Sequence, residues 1–335
     1  MSYEDPEELP SVTLHRYPVT LALPTADPHA LAVECMLRLI GAHYKKQDAA
    51  LPVTLEVPVA GGGDMATERR KGLASCLEFI ESATHRDAEV ITAALEPQAL
   101  CVRALAELTL LPAFVYITHA DSGLYNGAIR RAVEPKVASV WQRLRGSYCK
   151  DVLTGSSCRV RFTSVAAALR EAERALRALE VVCSTNTASG NIFILGTGRA
   201  CSIDALAYAA VSSFMHADFS DRHASGGVVA MQRWLRRECP ALLKYVEQLR
   251  LLYFEEYSSF YTLRASGVAS DCDAAQEAAA DLFARGRWKV LTFTGVFSTL
   301  FFLSANIDVL LEIMLQYFED PDDESRDDGE NTEFY

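Results

Sequence analysis

The stretch GTGRACSIDALAYAAVSSF, residues 196–214, constrains this chain more tightly than any other. A carboxylate, Asp204, stands directly before a run of small and apolar residues that holds no charge until His216. Such a run has no polar face, so it belongs in a protein interior. A carboxylate carried into that interior without partners costs several kcal/mol or more, roughly, so donors must meet it or its chemistry must be used. A helix start supplies the donors. The first N–H groups of a helix have no intrahelical partner, and an acid at the third position accepts one of them while facing the positive end of the helix dipole. Asp204 is therefore assigned a structural role, with the cap drawn from Cys201, Ser202 or the backbone.

The rest of the composition narrows the class. At 335 residues the chain has room for two domains, or for one plus appendages. A net charge of −12 argues against a nucleic-acid binder, which would show a basic face. Much of that charge is local: residues 319–335 hold nine carboxylates and one arginine, a composition expected to remain disordered and able to attract a basic partner. Nine cysteines are scattered without a CxxC pair, as expected of reduced, mostly buried thiols. The first ten residues, MSYEDPEELP, are expected to be a polar leader and not a secretory or mitochondrial targeting segment.

Along the chain, SVTLHRYPVTLAL (11–23) alternates as a strand, and PTADPHALAVECMLRLIGAHY (24–44) reads as a helix. Asp27 caps that helix, Pro28 fits its first turn, and Ala30, Val33, Leu37 and Ile40 form its buried stripe. ALPVTLEVPVAGGG (50–63) is extended, and MATERRKGLASCLEFIESA (65–83) is predicted as a helix. From Asp87 to about Ala265 the pattern is helical almost throughout, including 87–120, 126–145, 164–182 and 241–261.

The last part differs. Arg285, Arg287, Trp288 and Lys289 flank an uncharged run from Val290 to Ala305. Counting from Trp288 to Ile307, with Lys289 snorkelling, the segment reaches the roughly 20 residues of a membrane span. Two readings stand: a membrane anchor or a buried terminal helix.

A Ser/Thr-x-x-Asp box opening the central buried helix is a hallmark of the all-α domain of glutathione transferases. FILGTGRACSIDALAYAAVSSFMHADF (193–219) resembles the metaxin branch of that superfamily, with Cys201 where the threonine stands and Gly-Arg-Ala in place of the usual proline segment. LTLLPAFVYITHADSGLYNGAIRRAV (108–133), CPALLKYVEQLRLLYF (239–254) and LALPTADPHALAVECMLRLIGAHY (21–44) resemble metaxin segments in the same order.

The resemblance implies an α+β, mostly α fold. It divides into a leader (1–10), a thioredoxin-like unit (11–85), a helical domain (86–265), a connecting helix (266–287), a hydrophobic helix (288–318) and an acidic tail (319–335). It implies that Pro52 is the cis-proline before a central strand. It also implies a non-catalytic subunit at the mitochondrial outer membrane with its body in the cytosol. Its partners there would be a β-barrel insertase, a second metaxin-like subunit and β-barrel precursors.

Enzymatic patterns are poor by comparison. No acidic-Ser pair stands where glutathione's γ-glutamyl group would be received, and Tyr17 and Thr25 are the available hydroxyls near the end of the first strand. The glycines at 61–63 lack a phosphate-loop context, the 196–198 turn faces a competing carboxylate, and His216 with His223 is the one weak metal candidate. Catalytic residues, cofactors and metals are expected to be none. The alternatives kept open are a divergent glutathione transferase and an architectural subunit of another mitochondrial membrane complex.

Overall fold

Strand β1 (Val12–Arg16) alternates between buried and half-buried side chains and lies inside a four-stranded sheet of order β2-β1-β3-β4. This computed structural model describes residues 10–58, 67–155, 162–187, 191–219 and 224–254. All of them fall in a first compact unit, Met1–Thr262; the second, Leu263–Tyr335, lies outside the described residues. Helix α1 (Pro28–Leu39) connects β1 to β2 (Tyr44–Asp48), which runs parallel to it with Val12 opposite Tyr44. Strand β3 (Thr54–Pro58) is antiparallel to β1, with Leu14 opposite Leu55, and β4 (Thr67–Lys71) is antiparallel to β3. Helix α2 (Leu73–Thr84) packs against β3 and β4. The Leu51–Pro52 peptide ahead of β3 is cis. A βαβ unit followed by ββα around a cis-proline is a thioredoxin-like arrangement.

Local chemistry sets the helix ends. Asp27 accepts from the backbone N–H groups of His29 and Ala30 at 3.0 and 3.2 Å, Pro28 occupies the first turn, and Gly41 turns out of α1 at φ +73°. After α3 (Arg86–Val90) the chain breaks and restarts as α4, Glu96–Ala120, with Pro97 in its first turn and a π-turn at Ala106–Leu110. Helix α4 is long and apolar enough to cross a membrane, but over half of that stretch is buried inside the protein, and Leu110, Phe114 and Tyr116 belong to the core. Short helical turns through Val137 lead to α5 (Val140–Arg145) and α6 (Tyr148–Gly155). The remaining helices are α7 (Val165–Thr187), α8 (Ser202–His216), α9 (Gly226–Glu238) and α10 (Pro240–Tyr253). Helix α8 is buried from end to end and packs against α1, which fixes the helical domain to the sheet. This is a glutathione-transferase-like layout.

Three predicted helices change: 65–83, 126–145, and 87–120, which breaks between Val90 and Glu96. The helix predicted over 65–83 is a strand, β4, followed by a helix that begins only at Leu73. Thr67–Lys71 is mostly exposed and charged, so helical propensity favours it locally; pairing with β3 overrides that preference, and Gly72 at φ +86° separates the two elements. Strand β2, Tyr44–Asp48, carries no alternation that marks a strand, because it is an exposed edge blunted by Lys45 and Lys46. The helix predicted over 126–145 is broken at Ala138, where Ser139 opens a new helix with a capping box to Gln142. The hydrophobic segment 288–318, its flank Arg285, Arg287, Trp288 and Lys289, and the acidic tail lie outside the described residues.

Candidate functional site

Helix α8 begins at the buried carboxylate. Asp204 accepts from the backbone N–H of Cys201 at 3.1 Å and, outside the helix, from that of Ile194 at 2.8 Å. The Cys201 thiol takes the place of a hydroxyl in the capping box and also donates to the Asp204 carboxylate at 3.5 Å, and the Tyr245 hydroxyl bonds both the Asp204 main-chain carbonyl and its carboxylate. Burial outweighs these neutral donors and pushes the carboxyl up to about 6. Ser202 is held from a different direction: its N–H donates to Asp87 at 2.7 Å and its hydroxyl also bonds Asp87, while Arg103 reaches the same hydroxyl at 2.9 Å. The structure therefore divides the two sequence candidates, with Cys201 as cap and Ser202 as a tie to α3. Asp87 and Tyr245, which complete the network, had no local signal; both reach it from distant parts of the chain.

Pro52 lines a cleft of about 410 Å³ between the thioredoxin-like unit and the helical domain. Its walls include Leu51, Val53, Leu73, Val115, Val137 and Val152, and its polar groups include Asp27, His29, Gln142, Tyr148 and Asp151. Asp27 already caps α1 and meets the His29 ring at 3.0 Å, while Gln142 donates to Asp151 at 3.1 Å. Such a mostly aliphatic trough with spent polar groups suits apolar side chains better than a small charged ligand.

Tyr17, just past the end of β1, is buried, and its hydroxyl bonds that of Tyr148. Burial pushes the Tyr17 phenol far above its ordinary range and that of Tyr148 up to about 12. A hydroxyl that activates a thiol must favour the thiolate by donating to it or by ionising readily; this one is buried and paired with a neighbouring phenol. Thr25 accepts from the Asp27 N–H at 3.2 Å. Beneath the cleft, His119 bonds the Val115 carbonyl through Nδ1 at 2.9 Å, and burial lowers it to about 4, so it is neutral at pH 7. The start of α2, where an acidic-Ser pair would receive a γ-glutamyl group, has Gly72 as its cap and no side-chain capping bond.

His216 is turned inward, with Nδ1 at 2.9 Å from the Ser212 hydroxyl and Nε2 at 3.0 Å from Glu247. His223, its proposed companion, and the glycines at 61–63 lie outside the described residues. Among the described residues no group of His, Cys, Asp and Glu is arranged to hold a metal.

The fold is of the glutathione-transferase-like class by its strand order, its cis-proline and the central helix of its all-α part. No family model matches the chain, and no curated protein matches it. Similar solved structures include glutathione transferase GSTFuA3 from Phanerochaete chrysosporium, at 12% identity and TM-score 0.47, covering 72% of this chain and 97% of that one. Glutathione transferase Omega 2S from Trametes versicolor is similar at 12% identity and TM-score 0.41, over 77% and 96% of the two chains. FzlA from C. crescentus is similar at 16% identity and TM-score 0.39, over 72% and 88%. The fold assignment rests on the topology above and not on these values.

Proposed function

We propose that this chain is a non-catalytic subunit of metaxin type, which works at the cytosolic face of the mitochondrial outer membrane in the import and assembly of β-barrel proteins. The observation that favours the non-catalytic part is the Tyr17–Tyr148 hydroxyl pair, buried beside the cleft and bonded to each other. In that position a transferase needs a hydroxyl free to face a thiol. The metaxin part is supported by the ordered run of similar segments and by the apolar stretch 288–307 behind its basic flank. In this reading the Pro52 cleft receives apolar side chains of precursor segments, and the partners are a β-barrel insertase and a second subunit of the same fold.

Alkaline carbonate extraction of mitochondria containing the full chain, or a chain ending at Arg287, tests the membrane part. The expected result is that only the full chain resists extraction, with its tail protected from protease and its body cut. Equal release of both forms overturns the anchor. Retention on immobilised glutathione, with conjugation of a model electrophile, would instead favour the divergent-transferase reading.

A further inference from the structure

Helix α5 presents the wrong side to solvent. In a surface helix the apolar stripe faces inward, yet Val140, Trp141 and Leu144 are 65, 70 and 65% exposed. At about 100° per residue these three share an arc of roughly 100° on one face. Arg143 and Arg145 flank that arc on its two sides, and Gln142 lies opposite, lining the Pro52 cleft and donating to Asp151. The Ser139–Gln142 capping box and Gly146 at φ +61° set the two ends of the helix. With Gln142 turned to the cleft that Leu51 and Pro52 also line, the apolar face is left outward.

Its surroundings are equally unusual. Between Arg130 and Lys150 stand six cations and one carboxylate, Glu134, in a chain whose net charge is −12. Arg130 pairs with Glu134 at 3.8 Å and Lys136 with Asp48 at 3.0 Å. Arg131, Arg143, Arg145 and Lys150 are exposed and enter no ion pair among the described residues.

We propose that this face docks onto an anionic lipid surface, with Trp141, Val140 and Leu144 entering the headgroup–acyl boundary and the flanking arginines meeting lipid phosphates and carboxylates. An exposed indole beside aliphatic side chains, rimmed by arginine, matches the chemistry of that boundary. Each cation held near such a surface adds on the order of a fivefold gain in binding. A second copy of the chain is a poorer occupant, because a two-fold contact would bring the same cations together. The proposal does not depend on the metaxin reading or on whether residues 288–307 span a bilayer; it concerns how the folded body lies on a membrane.

The test uses the full-length chain with Trp234→Phe and Trp288→Phe, which leaves Trp141 as the only tryptophan. It is reconstituted into vesicles of phosphatidylcholine, alone or mixed with phosphatidylserine, with part of the phosphatidylcholine brominated on its acyl chains. In the phosphatidylserine vesicles Trp141 emission is expected to shift to the blue and to be quenched by bromine. Arg143→Glu with Arg145→Glu is expected to lower the ratio of docked to free body by at least about tenfold. Val140→Ser with Leu144→Ser is expected to reduce quenching without altering far-ultraviolet circular dichroism. Three results would overturn the proposal. One is Trp141 open to iodide and unquenched by bromine in both vesicle types. Another is equal quenching in both types that ignores the arginine reversals. The third is shielding that grows with protein concentration without bromine quenching, which marks contact between copies. Carbonate extraction reads the 288–307 segment and bromine quenching reads Trp141, so failure of one is separable from failure of the other.

Discussion

Two buried carboxylates, Glu34 on α1 and Asp204 on α8, lie on helices that pack against each other and satisfy burial by opposite means. Glu34 is surrounded by charge: Arg38 at 2.9 Å, Arg16 at 3.2 Å and Lys46 at 3.4 Å, with the Tyr44 hydroxyl at 3.0 Å. Among the described residues Asp204 meets neutral dipoles: two backbone N–H groups, a phenol and a thiol. The first arrangement ties β1, α1 and β2 together through an ionic knot. The second closes one helix start and pins it to the Ile194 loop and to α10. The difference teaches that a glutathione-transferase-like core can bury an acid either as a charge with counter-ions or as a cap whose own charge is disfavoured.

The strongest way to break this comparison is Glu34→Ala. It takes from Arg16, almost fully buried, its carboxylate partner at 3.2 Å, and removes the shared acceptor of Arg38 and Lys46. Removing one side of a buried ionic cluster costs about 3–5 kcal/mol. Thermal unfolding of the full chain should show this as the largest drop in midpoint of the changes considered; a drop smaller than that of Asp204→Ala would mean that the knot contributes little.

Asp204→Ala comes next, at about 2–4 kcal/mol, from the lost cap and from the buried N–H groups of Ile194 and Cys201 left unpaired. The same unfolding measurement, repeated on Asp204→Asn, should show a smaller loss because one acceptor oxygen remains. Equal losses would indicate that the charge itself is what matters.

A pH series sharpens the contrast. Asp204 is held at about 6 against an ordinary 3.8, so the folded state keeps its proton more readily than the unfolded chain does. That contribution is fully present below about 4 and is lost as pH rises through about 6. The stability of the wild type relative to Asp204→Asn should therefore fall by up to about 3 kcal/mol between those limits. Glu247 acts with the opposite sign: hydrogen bonding to His216 and Arg250 lowers it to about 2, so its contribution is present above its ordinary range and fades as pH drops. A flat difference curve would show that Asp204 titrates as an ordinary acid.

The smallest expected effect is at Tyr17. Tyr17→Phe removes one buried hydroxyl partner of Tyr148 and should cost about 1 kcal/mol, with a non-additive double change when Tyr148→Phe is added. Any conjugation of glutathione by the wild type that disappears in Tyr17→Phe would break the structural reading of this pair.

Much of the fold was legible where the signal is local. Asp27, Pro28 and Gly41 mark both ends of α1, and Asp204 marks the start of α8, because caps act over two to four residues. Glu34 lies inside ALAVECML, where a lone acid amid apolar residues is the one local sign of a buried charge. Its cations come from β1, from the next turn of α1 and from β2, and no window of sequence holds all three. The Pro52 cleft was half legible: the proline pointed to one wall, while Val115, Val137 and Val152 come from helices far along the chain.

By itself the sequence determined which segments must be buried, where α1, α7, α8 and α10 begin, and that an acid at position 204 needs donors. These follow from hydrogen-bond geometry and apolar periodicity within a few residues. Only the tertiary structure decided that Thr67–Lys71 is a strand, that Tyr17 spends its hydroxyl on Tyr148, and that α5 turns Trp141 outward. Strand pairing, a hydroxyl pair 131 positions apart and the facing of a six-residue helix are set by partners distant in sequence, and those partners exist only once the chain has closed on itself.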